Sequence, residues 1–193
     1  MLMKYALLLG DGMADRPIKE LDGRTPLMVA RTPNMDAIAT SGHFGYLNSY
    51  SESLPPGSDI TNLNILGYPP ELYYTGRAPL EAASIGVDLK DEDVAFRCNL
   101  VTLSGEGENL LMEDYSAGHI STEEASSIIK TLDAELGRKG LGFYTGKSYR
   151  HIMVWRGGPS GLNLTPPHDI SDKPANPHLP GEKRLLELTH KSW

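Results

Sequence analysis

The sequence predicts an α/β protein in two parts, and three observations carry that reading. Lys4 to Leu9 is a continuous apolar run that ends in Gly10-Asp11-Gly12. Thr32 to Gly42 has helix-start and helix-stop chemistry. After Gly76 the pattern changes to strands around a single amphipathic helix. An apolar run closed by a turn suits a buried parallel strand followed by a loop. Alternation of strand and helix in the front part, then a separate group of strands and one helix, suggests two cores rather than one.

Each element follows from local chemistry. In the front part, Asp11 falls at the carboxyl edge of the first strand, where open α/β folds place their ligands. The competing reading is a turn aspartate bonding its own backbone. Thr32 is placed as N-cap with Pro33 at the first helical position and Gly42 as the stop. Met35, Ile38 and Ala39 share a face of that helix. Phe44 to Ser49 reads as the next strand, which gives β-α-β order. Pro55-Pro56-Gly57-Ser58 is a turn that leads into a helix over Ser58 to Leu66, with Ile60, Leu63 and Leu66 inward and Gly67 ending it. Ser58 is then either a plain capping serine or a hydroxyl set beside free helix N–H groups.

The second part begins after Tyr73-Tyr74-Thr75-Gly76-Arg77-Ala78-Pro79. Val94 to Leu103 reads as one strand, and Leu110 to Tyr115 as a shorter one. Ser121-Thr122-Glu123-Glu124 is a capping box ahead of a stripe of Ala125, Ile128, Ile129, Leu132 and Leu136. Tyr149 to Trp155 is a further strand, turned by Gly157-Gly158-Pro159. Thr165 to Gly181 reads as a loop returning toward the first part. Glu182 to Trp193 has a helix-like leucine pattern but ends with no stop signal.

Composition narrows the function classes. The chain has 193 residues, 39% of them hydrophobic, and a formal net charge of −7. That charge argues against a general nucleic-acid or membrane-surface binder. An anionic substrate stays possible, because bound divalent ions reverse a local field. Cys98 is the only cysteine, so no internal disulfide forms and a reducing compartment is expected. Met1 to Leu9 is too short for a signal peptide or a membrane span. A cytoplasmic protein with a small-molecule substrate is the expectation.

The pairing of Asp11 after a strand with Ser58 before a helix has the parts of a metal-assisted phosphoryl-transfer site. With Arg31-Thr32-Pro33-Asn34-Met35-Asp36 and Pro56-Gly57-Ser58-Asp59 alongside Asp11-Gly12, the sequence resembles the alkaline phosphatase superfamily. It looks most like the archaeal-type branch of the cofactor-independent phosphoglycerate mutases. The likeness continues through Tyr74 to Ala82, Asp93 to Asn99, Asp114 to Gly118, Ser148 to His151 and Thr165 to Asp169, and so spans essentially the whole chain.

The resemblance implies a partial doubly wound alkaline-phosphatase-like core, residues 1–75, with an inserted α+β substrate-capping domain over 76–178. Residues 179–193 would start the return helix, and the chain is then expected to be truncated after Trp193. It implies that Ser58 becomes phosphoserine, that Asp11 and Ser58 bind metal, and that Arg97, Arg150 and His151 contact substrate. The implied cofactors are two divalent ions (manganese, magnesium or zinc), without 2,3-bisphosphoglycerate. The implied reaction is interconversion of 3- and 2-phosphoglycerate in lower glycolysis and gluconeogenesis, in an enzyme of open oligomeric state. A metal-dependent phosphatase of the same superfamily and a non-catalytic phosphometabolite-binding fragment are the rivals.

Two departures from the family pattern stand out. His119 occupies a place where arginine is expected. The remaining aspartate and histidine metal ligands are not found in the chain, and the pair His168-Asp169 reads as a loop turn. Arg97 has an alternative as a strand residue reaching the surface. Asp59 reads as a first-turn acid favoured by the helix dipole, and Cys98 as a small buried apolar residue.

Overall fold

The computed structural model describes residues 3–50 and 52–193; Met1 and Leu2, part of the segment weighed as a leader, lie outside them. The chain divides into two compact units, 1–48 and 49–193.

In the first unit the apolar run Lys4–Leu9 forms no helix or strand, with Tyr5 86% exposed and Leu7 and Leu8 also in solvent. The predicted strand is therefore corrected, and so is the one at Phe44 to Ser49, where Phe44 and Leu47 are exposed. A strand exists only as part of a hydrogen-bonded ladder, and neither run belongs to a ladder among the described residues. Asp11 sits in a turn after the first run, with Gly12 at φ 69°. Helix α1, Pro26–Val29, is capped by Thr25, whose Oγ1 accepts from the Met28 N–H at 3.2 Å. Helix α2, Pro33–Ser41, has the expected bounds and the Gly42 N–H closes on Ile38 O, but the Thr32 side chain makes no cap bond and its Oγ1 donates to Asp36 Oδ1 at 3.0 Å. Met35 and Ile38 of its shared face are exposed.

The second unit holds the packed core. Helix α3, Ser58–Ile65, begins one residue before its expected first helical position, because Gly57 and not Ser58 is the N-cap; Ile60 is buried, but Leu66 is the C-cap and 60% exposed rather than inward. Helices α4, Pro70–Tyr73, and α5, Arg77–Ser84, follow. Strand β1, Val94–Asn99, is followed by β2, Thr102–Ser104, so the single predicted strand is broken at Leu100-Val101. Strand β3, Leu111–Asp114, pairs antiparallel with β2. Helix α6, Thr122–Leu136, carries the predicted capping box, with Ser121 Oγ accepting from the Glu124 N–H. Strands β4, Leu141–Lys147, and β5, Arg150–Trp155, complete an antiparallel sheet of order β1-β5-β4. Both sheets among the described residues are antiparallel.

The sheet buries both faces, as its alternation requires. On one, Ile152 and Val154 meet Ala78 and Ala82 of α5. On the other, Leu141 and Met153 meet Leu185 and Leu188 of helix α7, Lys183–Lys191. The fully buried Ala125 and Ile129 belong to α6, which packs against β4. The stretch Thr165 to Gly181 does not run free. Its backbone bonds along β3, with Met112 N donating to Lys173 O at 3.0 Å and Ala175 N to Leu110 O at 2.8 Å. Helix α7 has a side-chain N-cap, Glu182, which accepts from the Leu185 N–H at 2.7 Å.

Candidate active site

Ser58 is exposed and is the first residue of α3, with Gly57 extended ahead of it at φ −167°. Helix N-termini leave N–H groups without intrahelical partners, so a hydroxyl there lies among donors suited to an anion. The next side chain, Asp59, is turned into the protein and only 12% exposed. Arg77 Nη2 donates to Asp59 Oδ1 at 2.8 Å, and the Tyr74 hydroxyl donates to Asp59 Oδ2. The Arg77 bond, more than any other contact, holds the Asp59 carboxyl down at about 2. Burial, and then the bond to Asp59, pushes Tyr74 up to about 12. Near neutral pH the carboxylate is charged and the phenol is a donor.

Gly57 is part of this arrangement through space, not through backbone strain. A Cβ at Gly57 would sit 2.6 Å from Asp59 Oδ1 and 3.6 Å from Arg77 Nη2. Any larger residue there must displace the carboxylate. The dipole reading of Asp59 was therefore incomplete: its partners lie 15 and 18 residues away, on Tyr74 and on the first turn of α5. Sequence reasoning missed Tyr74, Arg77 and Glu81 as site residues. The signal available was the family-like run Tyr74 to Ala82, which says that the segment matters but not what it touches.

The charges continue into the sheet. Glu81 lies one helical turn after Arg77, and its Oε2 is 3.3 Å from Arg97 Nε on β1. The alignment falls short of a hydrogen bond, so Arg97 Nε has no hydrogen-bond partner among the described residues. Residues directly opposite in an antiparallel pair share a face. Asn99 faces Arg150 in the register, and Arg97 faces Ile152, so Arg97, Asn99 and Arg150 lie on the α5 side of the sheet. Arg150 is exposed, with its guanidinium 5.6 Å from the Tyr149 ring centre. Asn99 Oδ1 is buried and without a hydrogen-bond partner among the described residues.

His151 is placed differently. It faces Cys98 across the ladder, on the side of the sheet away from Arg97, and is 1% exposed. Its Nδ1 accepts from the Gly146 N–H at 3.1 Å, and Nε2 has no partner among the described residues. Burial lowers its pKa, so the ring is a neutral core group. The Cys98 thiol is pushed up to about 11 by burial, as its reading as a small apolar residue requires. His119 stands exposed in a left-handed conformation, φ 56°, after a turn tied down by Asp114 bonds to Ser116 and Gly118. His168 and Asp169 lie in a short 3-10 turn, 3.5 Å apart.

The sequence-predicted residues thus fall into three places. Asp11 lies in the first unit. Ser58, Arg97 and Arg150 lie in the second, with Ser58 joined to Arg97 by the intervening charges. His151 lies in the same unit, on the sheet's opposite face. Among the described residues no group of three or more His, Cys, Asp or Glu is placed to hold a metal ion. None of their helices is long and apolar enough to cross a membrane.

These features define a mixed α/β protein with small antiparallel sheets, an exposed serine at a helix start and two arginines on one face of a sheet. Residues 39–192 match the family model described as 2,3-bisphosphoglycerate-independent phosphoglycerate mutase, and the chain belongs to that family. A probable enzyme of that name from Geobacter sulfurreducens is 52% identical over 193 residues, 98% of this chain and 48% of the relative. One from Methanosarcina barkeri is 55% identical over 182 residues, 94% of this chain and 45% of the relative. The chain therefore spans less than half the length of these relatives. Among solved structures, the PH0037 protein of Pyrococcus horikoshii superposes with a TM-score of 0.63 at 30% identity. That match covers 94% of this chain and 40% of the other.

Proposed function

We propose that this chain supplies the serine-bearing and substrate-capping part of a phosphoglycerate mutase that works without 2,3-bisphosphoglycerate. Family membership and the relatives' names support the reaction. The observation that carries the site is Ser58, exposed at the start of α3. The proposed division is a front part of a doubly wound core over 1–75, a capping domain over 76–178 and the beginning of a return helix over 179–193.

In this reading Ser58 Oγ forms a new bond to the phosphorus of 3-phosphoglycerate as the ester bond to the 3-oxygen breaks. The serine proton passes to the departing alkoxide. Glycerate turns while held, its 2-hydroxyl oxygen takes the phosphoryl group back, and that hydroxyl proton returns to Ser58. Arg97 and Arg150 share a face of the sheet, and guanidinium groups suit a ligand with both a carboxylate and a phosphate. Holding the glycerate also excludes water, which would otherwise hydrolyse the phosphoserine.

The two divalent ions expected from the resemblance have two candidate ligands here, Asp11 and Ser58. Both are hard oxygen donors of the type magnesium and manganese take. When bound, such an ion favours the serine alkoxide and stabilises charge on the phosphoryl oxygens. Among the described residues no group of three or more acidic, histidine or cysteine residues is placed to hold a metal ion. The chain alone is accordingly expected to bind phosphoglycerate without appreciable turnover. A coupled assay of this chain with manganese tests that expectation, and substantial turnover contradicts it. Calorimetric titration with 3-phosphoglycerate, with and without manganese, tests the binding.

A further inference from the structure

We propose that Asp59, Tyr74 and Arg77 are positioning residues for Ser58, and that the step from Arg77 through Glu81 to Arg97 makes the serine and the sheet arginine one rigid unit. The inference rests on the reading of Ser58 and Arg97 as nucleophile and substrate ligand. It adds a role for four residues that touch no reacting atom in that reading.

The geometry is continuous. Asp59 follows Ser58 on the first turn of α3, and both of its oxygens are engaged, one by Arg77 at 2.8 Å and one by Tyr74. A carboxylate held at two points fixes the turn that carries the serine, which a single exposed ion pair would not do. Arg77 opens α5, where Ala78 and Ala82 are packed on Ile152 and Val154. The anchor for Asp59 is therefore a core helix rather than a mobile loop. Glu81 on that helix lies against Arg97 at 3.3 Å. Charges alternate along the whole path, Asp59 negative, Arg77 positive, Glu81 negative and Arg97 positive, so each member attracts its neighbours. Gly57 leaves room for the arrangement, since any Cβ there would enter the Asp59 carboxylate.

An ion pair that merely staples α3 to α5 predicts a different outcome from a positioning array, and two measurements separate them. The first needs no ligand. In nuclear magnetic resonance spectra of the full chain, Asp59→Asn and Arg77→Met shift both the Ser58 amide and the Arg97 Nε–H resonance, while the urea unfolding midpoint confirms a folded protein. Unmoved Arg97 resonances in folded variants overturn the proposal.

The second is a double-mutant cycle on 3-phosphoglycerate affinity by calorimetry. Asp59→Asn weakens binding roughly tenfold, the scale of one lost charge-assisted hydrogen bond. In an Arg97→Gln background the same change weakens it less than about threefold, because the path is already cut. Equal tenfold effects in both backgrounds, or none in either, overturn the proposal. If the unmodified chain does not bind 3-phosphoglycerate while the Arg97 signal still follows Asp59→Asn, the array stands and the assigned substrate fails.

Discussion

Replacing Asp59 with asparagine isolates the charge at the centre of the candidate site while keeping its shape. The amide oxygen still accepts from Tyr74, so the loss is chiefly the ion pair with Arg77. The carboxyl falls from 3.8 to about 2 in the folded chain. Nearly two units at about 1.36 kcal/mol each give roughly 2.5 kcal/mol. Arg77 is 44% exposed, so solvent screening reduces this to about 1–2 kcal/mol. The sign follows from the direction. A carboxyl depressed on folding stabilises the protein fully above its unfolded value, and the contribution fades as pH falls toward the folded value. The difference between wild type and Asp59→Asn should thus be full at pH 7 and roughly halved at pH 3. Urea unfolding followed by the fluorescence of Trp155 and Trp193, both in the second unit, measures it at each pH. A difference that does not change with pH, or one below about 0.3 kcal/mol at pH 7, refutes the reasoning.

Three further outcomes follow from the same structure. Gly57→Ala places a Cβ 2.6 Å from Asp59 Oδ1, so it should destabilise by about 1 kcal/mol and add little to Asp59→Asn in the double variant; full additivity in urea melts would contradict this. Ile129→Ala in α6 empties a site that is 1% exposed and should lower unfolding free energy by about 2–5 kcal/mol, with a loss under 1 kcal/mol showing that α6 is not docked as described. His151 is buried and its pKa lowered, so its neutral form supports the fold above about pH 6.5 and that support declines as pH falls, because the unfolded chain takes the proton more readily. Urea midpoints at pH 7.5 and 5.5 should fall more for wild type than for His151→Leu, and equal falls would remove His151 as the cause.

Legibility in the sequence tracked how local each determinant is. The capping box at Ser121–Glu124 contains its partners within a few residues and α6 forms as written, with Ala125 and Ile129 of the stripe buried and Ile128 exposed. The strand expected over Tyr149 to Trp155 forms over Arg150–Trp155, where β4 pairs with it from just upstream and β1 from about fifty residues away. Strand β4 went unread because Gly142 and Gly146 interrupt its pattern. Yet Gly146 is where the backbone passes closest, with Arg150 O 2.2 Å from an added Cβ. The runs at Lys4–Leu9 and Phe44–Ser49 show the opposite failure. Their composition asks for burial, but a strand's hydrogen bonds come from other segments, and composition cannot name those segments.

The candidate site divided along the same line. Ser58 was legible because a Pro-Gly turn before a helix is a local pattern. The serine's position relative to the cap was off by one, since Gly57 takes the extended conformation that an N-cap needs. Asp59 had a sufficient local explanation in the helix dipole, and that explanation concealed a bond to a residue 18 positions on. Arg97 was read as either a surface-reaching strand residue or a ligand, and Glu81 holds it against α5 instead of leaving it free in solvent.

The central claim is that Ser58 carries the phosphoryl group, and acid-quenched phosphopeptide mapping tests it most directly. Protein from its source cells would be incubated with 3-phosphoglycerate and manganese, quenched during turnover and digested. The account predicts phosphate on the peptide containing Ser58 and none in the Ser58→Ala variant. Mutase turnover with Ser58 unlabelled, or undiminished in Ser58→Ala, would contradict it.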